Sequence, residues 1–460
     1  MEKFEDRIYD AELYHCGVKV LNLKTNLEIY LLFKYNICIR RIVMVNIKEH
    51  KIEPDKKIID DIDIQIIYIP LESKLGYSYK ETVKVGEYVY IGTVLGKNPI
   101  VESPLISTVS GTVVGFENKY ISNGREVKCI VIENDFKEKY LNKTGKKNDI
   151  TKYSKEEFLY TLKKLSIIGM SGTAYPAYMK YETKRKLNYL IVNGCECESY
   201  ASSDSALMYN YPEEILECID AIIEIMHIKK AYISINEKNE KVINTFLKHI
   251  NTYQNIKIYP IQNGYPNGDK RYLVQEIFDL NYKNNPDEVG VICENVSTVY
   301  AIYEALKNYK PLTERIVTIS GNGIKNPANY KVKIGTNLSE LILKKSILKK
   351  VSNPVLICGG PMMGIELSSN EFIITADVNS IIRLNYIQER QIECIKCGKC
   401  SEVCPMNLIP SMIIQNKNNA KELRINKCNE CGLCSYICPA KIELREKIVK
   451  IKEEINEKNN

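Results

Sequence analysis

Two stretches near the C-terminus share one spacing: CIKCGKCSEVCP, Cys394–Pro405, and CNECGLCSYICP, Cys428–Pro439. In each, two residues separate the first, second and third cysteines, three separate the third from the fourth, and a proline follows. Together they hold eight of the chain's sixteen cysteines. Three thiolates on so short a loop can wrap one face of an iron–sulfur cubane, and the fourth cysteine of such a run ligates the other cluster of a two-cluster fold. The spacing therefore predicts two [4Fe–4S] clusters. One sits on Cys394, Cys397, Cys400 and Cys438, the other on Cys428, Cys431, Cys434 and Cys404. Gly398 and Gly432 are expected to let backbone approach sulfide, and Pro405 and Pro439 to end each loop. Structural zinc is the competing reading, because zinc ribbons also use paired CxxC units. Repetition of a whole four-cysteine unit argues against it. The chemistry these ligands point to is transfer of single electrons.

The remaining composition is that of a soluble globular protein, with 45% hydrophobic and 26% charged residues. A length of 460 residues leaves room for about three domains. Met1 is followed by Glu, Lys, Phe, Glu and Asp, which is no signal-peptide core. The most apolar region, 26–47, is broken by Glu28, Lys34, Arg40 and Arg41, so no membrane span is expected. Sixteen cysteines without a secretion signal point to a reducing, cytoplasmic setting and to metal or redox use. The net charge of +7 is spread among acidic residues. No basic run is interleaved with aromatics, so nucleic acid is not an expected partner.

Upstream of the clusters the pattern changes several times. Residues 1–64 carry no legible function, although 27–47 reads as two strands. Over 65–140, short strands alternate with glycine turns, and the two similar segments Val83–Gly86 and Val109–Val113 resemble a biotinyl/lipoyl-type barrel sandwich. No lysine follows methionine at a hairpin tip, so this is expected to be a scaffold and not a swinging arm. Over 150–312 strands alternate with helices, the signature of a doubly wound α/β domain. Ser154 and Glu157 form a capping box, followed by Phe158, Leu159, Leu162 and Leu165 at helical spacing. The glycine-rich run IIGMSGTAYPAYMKYE, 167–182, leads into a helix and can present amides to a phosphate. A strand over 189–192 then runs into NGCECESYASSD, placing Glu196, Glu198 and Asp204 at the end of a parallel strand, where ligands bind in such sheets. These acids suit ribose hydroxyls or a nicotinamide; equally, acids suit a helix N-terminus. A helix over 212–226 and strands over 231–235 and 289–293 complete the domain. Residues 313–385 read as a small β-grasp-like module, 386–445 as the cluster domain, and 446–460 as a charged, solvent-facing helical tail.

In this order the motifs resemble those of the RnfC component of the Rnf electron-transport complex, a ferredoxin:NAD oxidoreductase. More distantly they resemble the NADH- and flavin-binding subunit of respiratory complex I. The resemblance rests on VSGTV (109–113), IVIEND (130–135), GMSGTAYP (169–176), NGCECESY (193–200), YPNG (265–268), NVST (295–298), GGPMMG (359–364) and the two cysteine motifs. It implies a multidomain α/β chain: barrel sandwich, doubly wound flavin/NADH domain, SLBB-like β-grasp module and C-terminal helical dicluster ferredoxin domain. It also implies FMN held at Gly169 and Gly172, with Lys180 neutralising the phosphate. Asn193, Glu196 and Glu198 would face the ribityl chain and the nicotinamide of NAD(H), the two glutamates being the candidate catalytic residues. Tyr265, Asn295 and Thr298 would complete the pocket. The chain departs from the family pattern at Ser171, Ala174, Ser199 and Lys270, and a β-carbon on a phosphate loop can block close backbone approach.

The resemblance further implies membrane-bound Rnf-type partner subunits and association with the cytoplasmic face of the membrane through them. The alternative is an electron-transfer adaptor that serves a ferredoxin or a soluble partner reductase, of the proline- or cobalamin-reductase kind, without NADH chemistry of its own.

Overall fold

A computed structural model describes residues 44–60, 62–142, 149–386 and 389–457. They form two compact units. The larger comprises 49–263 and 267–386, the smaller 44–48, 264–266 and 389–457. Most of the two strands expected over 27–47 lies outside the described residues.

The larger unit is organised around a parallel sheet of Ile256–Ile261, Lys230–Asn236, Tyr189–Asn193 and Val291–Asn295, in that spatial order. Its central strands are largely apolar, with Leu190, Ile191, Val192, Ile233 and Ile235 buried, as a sheet covered on both faces requires, and Ser234 is the one polar side chain buried among them. The chain winds outward from Tyr189–Asn193 in one direction, then returns to its other side with Val291–Asn295. The switch point lies between these two strands, where open α/β sheets bind ligands at their carboxyl ends. The expected strand over 289–293 begins two residues later. Pro286–Val289 forms a tight turn, and Gly290, at φ +71°, ends it in the left-handed region open to glycine.

Helices fill the crossovers. Lys155–Lys164 carries the expected capping box at Ser154 and Glu157. Pro212–Met226 starts on proline and ends at His227 in a left-handed cap. The helix after the glycine-rich loop spans only Ala177–Tyr181, five residues, so its dipole is small.

Three further sheets lie in this unit, the smallest of them the antiparallel Lys80–Glu81, Val94–Lys97 and Leu105–Ile106. An antiparallel sheet joins Tyr88–Val89, Gly111–Tyr120, Glu126–Asn134 and Ile66–Pro70 of the barrel sandwich to Thr336–Asn337 and Ile373–Ile374. A mixed sheet orders Ala328–Lys333, Glu314–Ser320, Ser380–Asn385, Pro354–Cys358 and Ile365–Leu367, with the helix Leu338–Lys345 packed against its core. Thus the β-grasp-like segment divides its strands between two sheets.

In the smaller unit, short helices follow each cysteine loop, and the helix Leu444–Glu457 packs Ile448 and Ile451 against Leu408, Ile413 and Ile425. This corrects the expectation of a solvent-facing tail. The Lys/Glu residues mask a stripe of isoleucines three and four positions apart, enough to bury one face.

Candidate functional site

At the switch point Asn193 and Asn295 stand opposite one another in register. The Asn193 amide donates to the Gly268 carbonyl (2.9 Å), and its Oδ1 accepts from the Cys195 N–H. Asn295 caps the helix Val296–Asn308 through the Ser297 N–H and donates to Asp204 Oδ2 (2.7 Å). Thr298 Oγ1 accepts from the Met170 N–H (2.9 Å), which moors the glycine-rich loop to the crevice. The Gly169 N–H closes that loop on the Tyr175 carbonyl (2.7 Å). The N–H groups of Ser171, Gly172, Thr173, Ala174 and Tyr175 meet no acceptor among the described residues. A row of unbonded donors beside a crevice is what an anion needs. Gly172 and Ala174 both have positive φ, +89° and +53°. Ala174 thus holds a conformation that glycine adopts without strain, while Ser171 does not.

Lys180 lies beside this loop, 3.7 Å from where a β-carbon on Gly169 would be. Its ammonium is paired with Glu294 (2.6 Å), a carboxylate with no solvent exposure whose Oε2 meets no other donor among the described residues. Lys74 reaches the loop from the barrel sandwich: its Nζ donates to the Gly172 carbonyl (2.7 Å) and stands 3.4 Å from Asp377.

The acidic loop is held from several sides. Glu196 accepts from the N–H groups of Asp204 (2.8 Å) and Ser205 (2.9 Å), capping the helix Ser203–Asn210. Glu198 accepts from Met362 (3.1 Å) and Met363 (2.8 Å) of the GGPMMG loop. A β-carbon on Gly360 would lie 2.1 Å from the Glu198 carboxyl carbon, so only glycine lets that loop close over the carboxylate. Lys51 donates to the carbonyls of Glu196, Glu198 and Ala201, each at 2.6 Å. The neighbouring His50 N–H donates to the Ser199 carbonyl, and its ring stacks on Tyr200 at 4.7 Å. Burial pushes the Cys197 and Cys293 thiols up to about 12, so both remain protonated at neutral pH.

Burial, with the Glu196 charge adding to it, pushes Asp204 up to about 6. Close by, burial lowers the Arg315 guanidinium to about 10; Arg315 donates to the carbonyls of Ile316, Met170 and Ala376, while its Nη2 meets no acceptor among the described residues. Because the folded state keeps the Asp204 proton after the unfolded chain has lost it, the associated stability is complete below about pH 4 and vanishes as pH rises through about 6. We therefore expect Asp204→Asn, which has no such proton to lose, to gain about 2–3 kcal/mol relative to wild type between pH 4 and pH 7. Paired melting curves across that range measure the gap, and a constant gap would contradict the assignment.

In the smaller unit, Cys404, Cys428, Cys431 and Cys434 line one cavity together with Leu408, Pro410, Gly432, Leu433 and Arg445. Cys404 comes from the first motif and the other three from the second. The Leu408 N–H points at Cys404 Sγ (3.3 Å) and the Glu430 N–H at Cys428 Sγ (3.4 Å). Such N–H···S contacts are the outer-shell support that cluster thiolates use. Cys400 and Cys438 are buried in a second core with Cys394 and Cys434 packed against it, while Cys397 is exposed. Both motifs repeat the same left-handed residues, Lys396 and Gly398 in one, Glu430 and Gly432 in the other. No atom within 4 Å would meet a β-carbon on Gly398, so its φ of +80° is what calls for glycine there.

Among the expected flavin residues, Gly169, Gly172, Lys180, Asn193, Asn295 and Thr298 gather at the crevice, and Glu196 and Glu198 border it. Tyr265 belongs to the smaller unit: it pairs with Val45, and its hydroxyl donates to the Cys431 carbonyl (2.7 Å). Lys51, Lys74 and Glu294 went unread in the sequence. Nothing local in the sequence marks any of the three.

Comparison with known proteins bears on each region. Residues 44–137 match the RnfC barrel sandwich hybrid domain, 162–304 the Nuo51 FMN-binding domain, 316–366 the SLBB domain and 393–442 the 4Fe-4S dicluster domain. The chain is 29% identical over 357 residues to the C subunit of the ion-translocating oxidoreductase complex of Haemophilus influenzae (strain PittEE), covering 75% of this chain and 54% of that one. It is likewise 29% identical over 356 residues to the C subunit of the proton-translocating ferredoxin:NAD(+) oxidoreductase complex of Clostridium ljungdahlii, covering 75% and 77%. Over about three quarters of its length the chain is similar to RnfC-type subunits. It spans about half the length of the first curated relatives it matches. The domain order expected from the resemblance is the one found, and the cofactors of these domains are FMN and [4Fe–4S] clusters. The NAD+-reducing [NiFe]-hydrogenase in its H2-reduced crystal structure is similar over 67% of this chain and 62% of its own, with a TM-score of 0.48 and 11% identity. No helix among the described residues is long and apolar enough to cross a membrane.

Proposed function

We propose that this chain is an RnfC-type electron-transfer subunit of an ion-translocating ferredoxin:NAD oxidoreductase, moving electrons between NAD(H), FMN and two [4Fe–4S] clusters. The observation that carries the reading is the union, in one polypeptide, of a crevice edged by unbonded loop amides and a paired set of cluster thiols. Flavin, when bound, couples a two-electron donor to one-electron clusters.

The residues divide the work. Amides of 171–175 take the anionic end of the flavin, and Asn193, Asn295 and Thr298 shape the crevice. Glu196 and Glu198, whose carboxylates are already satisfied by backbone donors, act by holding the acidic loop in place beside the nicotinamide. Cys394, Cys397, Cys400 and Cys438 hold one cluster; Cys404, Cys428, Cys431 and Cys434 hold the other. Partner subunits hold the chain at the cytoplasmic face of the membrane.

The test is direct. Protein reconstituted anaerobically with iron, sulfide and FMN is expected to lose its visible flavin band on addition of NADH, and the clusters then to become paramagnetic. Flavin that binds tightly yet stays oxidised under NADH would overturn the NADH assignment.

A further inference from the structure

We propose that Glu294 sets how much the phosphate of a flavin contributes to binding, making the site nearly indifferent between FMN and unphosphorylated riboflavin. This rests on the flavin reading above and adds a specificity to it.

Three cations touch the glycine-rich loop: Lys180 beside Gly169, Lys74 on the Gly172 carbonyl and Arg315 on the Met170 carbonyl. Each has an internal carboxylate. Lys180 is paired with Glu294, Lys74 stands by Asp377, and Arg315 lies in the field of Asp204, Asp377 and Glu196. Each of the three loop cations thus stands near a carboxylate, which leaves little net positive charge on the loop for a dianion.

Nor can Glu294 withdraw. It sits within the strand Val291–Asn295, in register with Val192, with no solvent exposure. Its Oε1 also accepts the Asn295 N–H (3.3 Å). A phosphate arriving at the loop would gain the free amides of 171–175 but would meet a fixed carboxylate close by. The five-residue helix behind the loop offsets little of that repulsion. Lys180 has N–H donors left for a phosphate, but its charge is already balanced by Glu294, so that contact adds no net positive charge.

The experiment is an equilibrium titration of the full chain with FMN and with riboflavin, read by quenching of flavin fluorescence. Wild type is expected to bind the two within about threefold of each other, since the phosphate's amide contacts are offset by repulsion. Glu294→Gln frees Lys180 and is expected to tighten FMN about tenfold while leaving riboflavin unchanged, the scale of one charge-assisted contact. The double variant Lys180→Met/Glu294→Gln removes the pair together and should return the ratio to near its wild-type value. Because the wild-type ratio needs no substitution, misfolding of a variant does not shield the idea. A wild-type preference for FMN of a hundredfold or more overturns the proposal, as does an unchanged FMN-to-riboflavin ratio in Glu294→Gln. Failure of every form to bind either flavin overturns this proposal and the flavin reading together, whereas binding of both with the wrong ratio overturns this proposal alone.

Discussion

The Cys404→Ser variant is expected to retain one cluster of two, holding about four iron atoms where wild type holds about eight. Cys404 is encoded in the first motif, four residues after Cys400, yet it lines the same cavity as Cys428, Cys431 and Cys434 of the second. Burial pushes its thiol up to about 11, and Cys428 and Cys400 both lie within electrostatic reach of it. Bound iron reverses that penalty, because a coordinating thiol is deprotonated outright. Replacing it by a hydroxyl therefore removes one of the four ligands of the cluster on the second motif. The cluster on Cys394, Cys397, Cys400 and Cys438 should keep its spectrum. The reciprocal Cys438→Ser should spare the cluster that Cys404→Ser destroys. Iron analysis and low-temperature EPR of the two reduced variants decide it. Loss of the first-motif cluster in Cys404→Ser would show the ligand crossover to be wrong.

Lys51→Met is expected to loosen the acidic loop and to slow flavin reduction by NADH by about tenfold or more, at a cost of about 2–4 kcal/mol. One ammonium has three donors, and here three backbone carbonyls take all of them at 2.6 Å. Methionine fills a similar volume but leaves those carbonyls without a partner in a part-buried place. Lys51→Arg should rescue only partly, because a planar guanidinium fork cannot converge on three oxygens as an ammonium does. Two measurements follow: NADH-driven bleaching of bound flavin, and the rate of proteolytic cutting within 194–202. Wild-type behaviour of Lys51→Met in both would remove Lys51 from the site.

Much of this molecule was legible in its sequence because the signals are local. Three of the four ligands of each cluster lie within a few residues of one another, so their spacing survives in the primary structure. Capping at Ser154 and Glu157 is set within three residues, and the helix Pro212–Met226 has the bounds expected for it. Alternating strands and helices likewise announced the parallel sheet.

What tertiary structure alone decided is which charges meet. Lys180 and Glu294 are 114 residues apart, Lys51 and Glu196 are 145, and Lys74 and Gly172 are 98. No periodicity connects them. Strand order brings Asn193 beside Asn295, and so places Glu294 next to the loop where the sequence had left Lys180 an unopposed cation. The glutamates of NGCECESY show the same limit. Their position at a strand end was readable, but whether each carboxylate faced a ligand or a backbone donor depended on where the helix Ser203–Asn210 and the GGPMMG loop would pack. Local spacing determines which elements form and which three thiols of each motif can share a cluster. The free energy of a buried ion pair depends on the dielectric and the partner that the completed fold supplies, and neither exists until distant segments are side by side.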